Sequence, residues 1–129
     1  MSKAIRHSVT FKATPHQVYE ALMDSRKHAR FTGEAASISR KVGSKFTAYG
    51  GYITGTNVEL VQDEKIVQTW HAADWPAGHE SRVTFSLKPV EGGARLSFTH
   101  TGVPDEHYES IKQGWIEHYW MPMKALLEK

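Results

Sequence analysis

Tyr108-Glu109-Ser110-Ile111-Lys112-Gln113-Gly114-Trp115-Ile116-Glu117-His118-Tyr119-Trp120, opened by Pro104-Asp105-Glu106 and running on to Leu127-Glu128, is the stretch that decides the fold. Projected at 100° per residue, Tyr108, Ile111, Trp115, Tyr119 and Leu126 fall within about 80° of one another. Ile116, Trp120, Met123 and Leu127 widen that arc to about half the circumference. The polar face is narrow: Gln113, Glu117, Lys124 and Glu128. The spacing predicts one helix over about residues 107–128, buried along most of its length. Asp105 and Glu106 suit its positive N-terminus. Pro122 predicts a local bend, because it lacks a backbone donor and crowds the preceding turn. Trp115 lies near the middle of the apolar arc, flanked at four-residue spacing by Ile111 and Tyr119, and is expected to anchor the helix. Trp120 is expected at the arc's edge, where truncation costs less.

Upstream, the pattern changes from helix to strand. Ile5, His7, Val9 and Phe11 alternate with Arg6, Ser8, Thr10 and Lys12, which reads as a half-buried strand. Thr14-Pro15 with Gln17 is a capping-box helix start, and the pairs Val18/Leu22 and Tyr19/Met23 give that helix a buried stripe. Ser25 reads as the cap of a second short helix that carries Phe31 and ends at Gly33. From about residue 35 to 103, strands alternate with turn signals. Ile38 marks the first and Phe46-Ala48 the second, and Ile53–Val61 follow with Gly55 as a bulge or close backbone approach. Lys65–Ala73 come next, then Val83/Phe85/Leu87, then Leu96/Phe98 after a Gly92-Gly93 hairpin turn. Short strands joined by tight turns make an antiparallel meander. The expected architecture is α+β: a curved antiparallel sheet of six or seven strands around the long C-terminal helix, with two short helices after the first strand.

Composition bounds the function. The 129 residues, taken as a single domain over 1–129, are enough for one core without disulfides or a structural metal. With no cysteine, disulfides, thiolate zinc sites and cysteine nucleophiles are excluded. The net charge of +2 is too small to suggest nucleic acid, and no apolar run approaches a membrane span or a signal peptide. The chain reads as cytoplasmic, with neither nucleic acid nor membrane as partner. Residues 1–45 carry nine Lys/Arg against three Asp/Glu, while the rest carry seven against eleven. The cluster Arg26, Lys27, His28 and Arg30 reads as a solvated helix face.

Motifs for chemistry are sparse. His71, His79, His100 and His118 lack metal-ligand spacing, and Asp74 and Glu80 fall in a loop, so neither metal nor cofactor is expected. No GxSxG elbow, Rossmann or P-loop pattern occurs, and no catalytic residue is assigned. The aromatic residues carry the positive argument. Phe46, Trp70, Phe85, Phe98, Trp115 and Tyr119 come from separate strands and the long helix, and His100 shares strand parity with Leu96 and Phe98. Together these seven are the candidate ligand-binding set, lining a cavity between the curved sheet and the helix. Each also suits plain core packing, His100 also suits a satisfied structural role, and the face of Trp70 stays open.

The order of elements resembles the helix-grip fold of the START-related (SRPBCC, birch-allergen-like) superfamily. Gly43-Ser44-Lys45-Phe46, Gly51-Tyr52-Ile53-Thr54-Gly55, Ile66-Val67-Gln68-Thr69-Trp70, Trp75-Pro76, Leu96 through Pro104, and Gly114-Trp115 resemble, in order, the family of activator-of-heat-shock-protein-90-ATPase homologues. In the eukaryotic co-chaperones of that family this kind of domain is the C-terminal half, beside an N-terminal domain to which nothing here corresponds. The resemblance therefore implies the fold without carrying over co-chaperone activity. Three functions follow in order of expectation. The first is non-catalytic binding of a small hydrophobic or amphipathic molecule. The second is a chaperone-associated interaction protein. The third is a cyclase- or dehydratase-like enzyme using His100.

Overall fold

Alternation at period two makes the first strand, β1 (Ile5–Phe11), and the Thr14 capping box starts helix α1 (Pro15–Met23). The Thr14 hydroxyl accepts from the Gln17 amide at 3.1 Å, while the Gln17 side chain accepts from the Thr14 N–H at 2.9 Å. The computed structural model describes residues 4–33, 36–39, 41–75 and 79–128, so Pro76 of the Trp75-Pro76 motif lies outside the described residues. Helix α2 (Ser25–Thr32) ends at Gly33 in a left-handed conformation, as its sequence predicts. Its cap is Asp24, not Ser25: the Asp24 carboxylate accepts from the Lys27 N–H. The Ser25 hydroxyl instead exchanges hydrogen bonds with the backbone of Ile38 and ties that segment to the helix.

Five further strands follow: β2 (Lys45–Ala48), β3 (Ile53–Val61), β4 (Lys65–Ala72), β5 (Ser81–Val90) and β6 (Gly93–Thr101). They form one antiparallel sheet in the order β1-β6-β5-β4-β3-β2. The segment around Ile38 contributes a single bridge, Ser37 to Thr47, in place of a seventh strand. The β5–β6 turn is Glu91-Gly92, one residue earlier than predicted, with Val90 paired to Gly93. Gly55 is a close approach. A Cβ there would collide with the Thr69 carbonyl oxygen and come within 2.6 Å of the Phe46 ring, whereas the register shift of β3 falls between Asn57 and Glu59.

One face of the sheet is lined by cross-strand rows, Ile66–Phe85–Phe98–His7 and Gln68–Val83–His100–Ile5. Trp70 shares this face and pairs with Ser81, which settles the orientation that β4's composition leaves open. Onto these rows packs the C-terminal helix, and it is not a single α-helix. It comprises α3 (Tyr108–Trp115), a π-helical turn (Ile116–Trp120) and α4 (Met121–Leu127). Pro122 has no N–H to return to the His118 carbonyl, and its ring crowds that carbonyl. The preceding turn opens, and the Met121 N–H bonds back to the Ile116 carbonyl, five residues away.

The extra residue corrects two expectations. In a continuous α-helix Trp120 would sit about 140° round from Trp115. The π turn brings residues five apart into stack, so the two indoles lie 5.6 Å apart and 20° from parallel, and Trp120 is buried. Burial along the helix is also narrower than its apolar arc suggests. Trp115, Tyr119, Trp120 and Met123 are buried, whereas Tyr108, Ile111 and Ile116 remain half-buried.

This geometry predicts that Trp115→Ala and Trp120→Ala destabilise the fold to a similar degree, about 3–5 kcal/mol each. Urea unfolding of the two variants checks it. A Trp120→Ala variant within about 1 kcal/mol of wild type would show that the π turn does not carry Trp120 into the core.

Candidate functional site

Three buried aromatic residues of the C-terminal helix end in polar tips, and each of these tips meets a histidine from another element. The Trp115 indole N–H donates to His100 Nδ1 on β6 at 3.0 Å. The Trp120 indole N–H donates to His7 Nδ1 on β1 at 2.8 Å. The Tyr119 hydroxyl lies 3.0 Å from His28 Nε2 on α2. Because His28 Nδ1 sits 3.1 Å from the Leu22 carbonyl, which can only accept, Nδ1 carries the proton and Nε2 accepts from Tyr119.

The same logic fixes His100. The Ser81 hydroxyl donates to the Trp70 carbonyl at 2.9 Å, so its oxygen accepts from His100 Nε2–H at 2.7 Å. Both nitrogens of His100 are thus engaged in a buried, neutral ring, which leaves no position for acid–base work on a substrate. Burial pushes His100 down to about 3 and His28 to about 4, the latter against a smaller upward pull from the Leu22 carbonyl. His7 is lowered by burial and then by the charge of Lys112. Protonating His100 would also set Nδ1–H against the Trp115 N–H, donor facing donor.

Beside this docked helix the structure leaves a groove of about 380 Å³. Tyr52 and Ile53 at the start of β3 and Trp70 on β4 form one wall. Ser110, Ile111, Gly114, Trp115, His118 and Tyr119 form the other. Trp70, Trp115 and Tyr119 make a continuous aromatic surface, with ring centroids 5.0 Å and 4.4 Å apart in turn. At the mouth, the Tyr52 hydroxyl donates to Asp74 Oδ1 at 2.6 Å. Desolvation, then the Asp74 hydrogen bond and charge, push this phenol up to about 12. Among the described residues, no three His, Asp or Glu side chains converge on a position that could hold a metal ion. Nor is any helix there long and apolar enough to cross a membrane.

Of the seven residues read as ligand-binding, Trp70, Trp115 and Tyr119 line the groove. Phe46 and Phe85 border a deeper void of about 10 Å³, room for a water at most. Phe98 and His100 line neither space. Phe98 is packed against Phe85 at 5.2 Å and Trp115 at 4.4 Å between ring centroids. The interior is therefore filled, and the open space lies at its side. Tyr52, Ile53, Ser110, Ile111, Gly114 and His118 were not singled out as site residues. The available signal was the small and polar row Ser110, Gly114, His118 beside the apolar row Ile111, Trp115, Tyr119, each at four-residue spacing.

Residues 12–128 match the sequence pattern of the family described as "Activator of Hsp90 ATPase homolog 1-like protein". The chain belongs to this family. The activator of 90 kDa heat shock protein ATPase homolog from Dictyostelium discoideum is 32% identical over 116 residues, 88% of this chain and 30% of that protein. Homolog 2 from Mus musculus is 30% identical over 125 residues, 97% of this chain and 38% of that protein. The chain thus spans about a third of the length of these curated relatives. Among solved structures, an HSP90 activator from Plasmodium falciparum superposes with a TM-score of 0.90 at 26% identity, covering 97% of this chain and 96% of that one. A Chromobacterium violaceum protein superposes with a TM-score of 0.81 at 29% identity, covering 98% and 97%. The fold of this family member is the helix grip: a curved six-stranded antiparallel sheet holding a long C-terminal helix.

The histidine contacts predict acid lability. Folded His28 and His100 hold fewer protons than in the unfolded chain, where histidine titrates near about 6.5. Their contribution to stability is full above that value and is lost as pH falls towards about 4 for His28 and about 3 for His100. Urea midpoints should fall between about pH 7 and about pH 4.5, each buried histidine adding a slope of up to about 1.4 kcal/mol per pH unit. Histidine Cε1–H resonances of both should stay at neutral positions down to about pH 5. Flat midpoints, or resonances that move near about pH 6.5, would contradict the assigned tautomers.

Proposed function

We propose that the domain binds a small hydrophobic or amphipathic molecule in the groove between the start of β3, β4 and the C-terminal helix. One observation carries this reading: a concave space of about 380 Å³ walled by Trp70, Trp115, Tyr119 and Ile111, with Tyr52, Ser110 and His118 adding a few polar groups. Small-molecule sites typically enclose roughly 300–1,000 Å³ and are mostly apolar with a few placed polar groups. Trp70, Trp115 and Tyr119 are the proposed contact surface, and Phe46, Phe85, Phe98 and His100 support it from the core. Binding here is non-catalytic, and the cyclase-like reading through His100 loses its basis because both ring nitrogens are occupied. The cysteine-free composition suits action in the cytoplasm.

The names of the relatives favour a second reading, association with a 90 kDa heat-shock protein. It concerns a surface rather than the groove, and the two are separable. ATPase measurements on that chaperone, with wild type and a groove-filled variant, read the partner. Native mass spectrometry reads the ligand.

Freshly purified wild type should retain an added mass of a few hundred daltons, or gain one on incubation with apolar aromatic compounds. Ile111→Trp, which fills the groove from a half-buried position, should abolish the addition with little loss of stability. A bare mass in both proteins under all conditions would refute the binding reading.

A further inference from the structure

Gly114 is the last residue but one of α3, inside the continuous C-terminal helix just before its π turn, where glycine is the least favourable residue apart from proline. Glycine is needed in a helix when φ is positive or when another chain segment presses on the Cβ position. Neither holds here. Gly114 is not among the residues of positive φ, and a Cβ built on it meets only the His118 ring, at 3.8 Å. Gly55 is the contrast, since there a Cβ would strike the Thr69 carbonyl and the Phe46 ring. The space that an alanine methyl would take at 114 belongs to the groove, which Gly114 lines.

We infer that Gly114 is the specificity-determining residue of this groove, keeping bare helix backbone as a floor on which a flat, ring-containing amphiphile lies. This rests on the binding reading above. The chemistry of the floor names the ligand class. Trp115 and Ile111 beside Gly114, with Trp70 opposite, offer flat apolar surface to one edge of a ring system. Ser110 and His118, one turn before and one after, put polar atoms along the other edge. The separate void behind Trp70, Trp115 and Tyr119 holds only about 10 Å³, so a ligand lies in the groove itself. A planar molecule with one polar edge fits a floor between an aromatic wall and a polar row. Side chains on a helix lean towards its N-terminus, so a methyl on residue 114 would project over the floor towards Ser110.

The test uses the whole chain and 8-anilinonaphthalene-1-sulfonate, a flat amphiphile whose fluorescence reports binding. Gly114→Ala should raise the melting temperature by about 3–5 °C, as alanine replaces glycine in a helix interior. It should weaken the dye's affinity about tenfold or more, the usual effect of one excess methyl group in an apolar pocket. Gln113→Ala, on the exposed face of the same helix, should keep wild-type affinity. If Gly114→Ala binds like wild type while Ile111→Trp does not bind, the groove stands and the role of Gly114 is overturned. If Gly114→Ala lowers the melting temperature, the glycine serves packing and the inference also falls. Dye binding that is absent in wild type, or indifferent to both substitutions, overturns the groove reading and this inference together.

Discussion

Three buried donors on one helix must each find an acceptor, and that constraint organises the molecule. Trp115, Tyr119 and Trp120 lie within six residues, and each carries an N–H or O–H into a core where an unpartnered donor costs about 1–3 kcal/mol. Neutral histidine can present a lone pair from within apolar packing, and β6, α2 and β1 each supply one. Three acceptors on three separate elements fix how far the helix slides and how far it turns. Hydrophobic contact alone is non-directional and could be satisfied by several helix rotations. The histidines select one.

The π turn and Pro122 belong to the same arrangement. Between Trp115 and Trp120, a standard α-helix would leave one indole facing His100 and carry the other away from His7. The added residue puts both N–H groups on the sheet side, and Pro122 supplies the local cause by removing the hydrogen bond that would close the turn. Local chain chemistry and long-range polar pairing therefore demand the same distortion. Such agreement across levels is what makes a distortion part of a folding-competent sequence rather than a defect.

Period-two alternation and capping residues made β1, α1 and most of the meander legible, because those signals are local. The helix-grip outline was legible too, since a strongly apolar C-terminal helix has to be covered by something. Each error has its own physical origin. Trp120 was misplaced because projection at 100° per residue assumes an unbroken α-helix. Ser25 was read as a cap because the spacing does not say that Asp24 is nearer the first free N–H groups. Of the aromatic set, Trp70, Trp115 and Tyr119 line the groove, whereas Phe46, Phe85 and Phe98 do not. Aromatic residues on inward parity mark where a core is, but whether that core is hollow depends on how large rings tilt against each other. Phe85, Phe98, Trp115 and Trp120 interlock at centroid distances from 4.4 to 6.4 Å and close the interior. The open space was instead marked by what is small, Ser110 and Gly114, which a search for large apolar residues passes over.

The proposed ligand and the histidine acceptors act on the same rings. Trp115 and Tyr119 present one side to the groove while their polar tips are held by His100 and His28. A molecule stacked on those rings binds only when the helix is docked, so it adds stability in proportion to the logarithm of its concentration over its dissociation constant. A proton on His100 acts in the opposite sense, since it removes the acceptor that holds the Trp115 indole, which can only donate. Occupancy of the groove and protonation of the core are then linked through the docked state of a single helix, and each must weaken the other. The coupling needs no conformational relay across the fold. It follows from placing the groove's aromatic wall on the residues whose hydrogen bonds fix the helix.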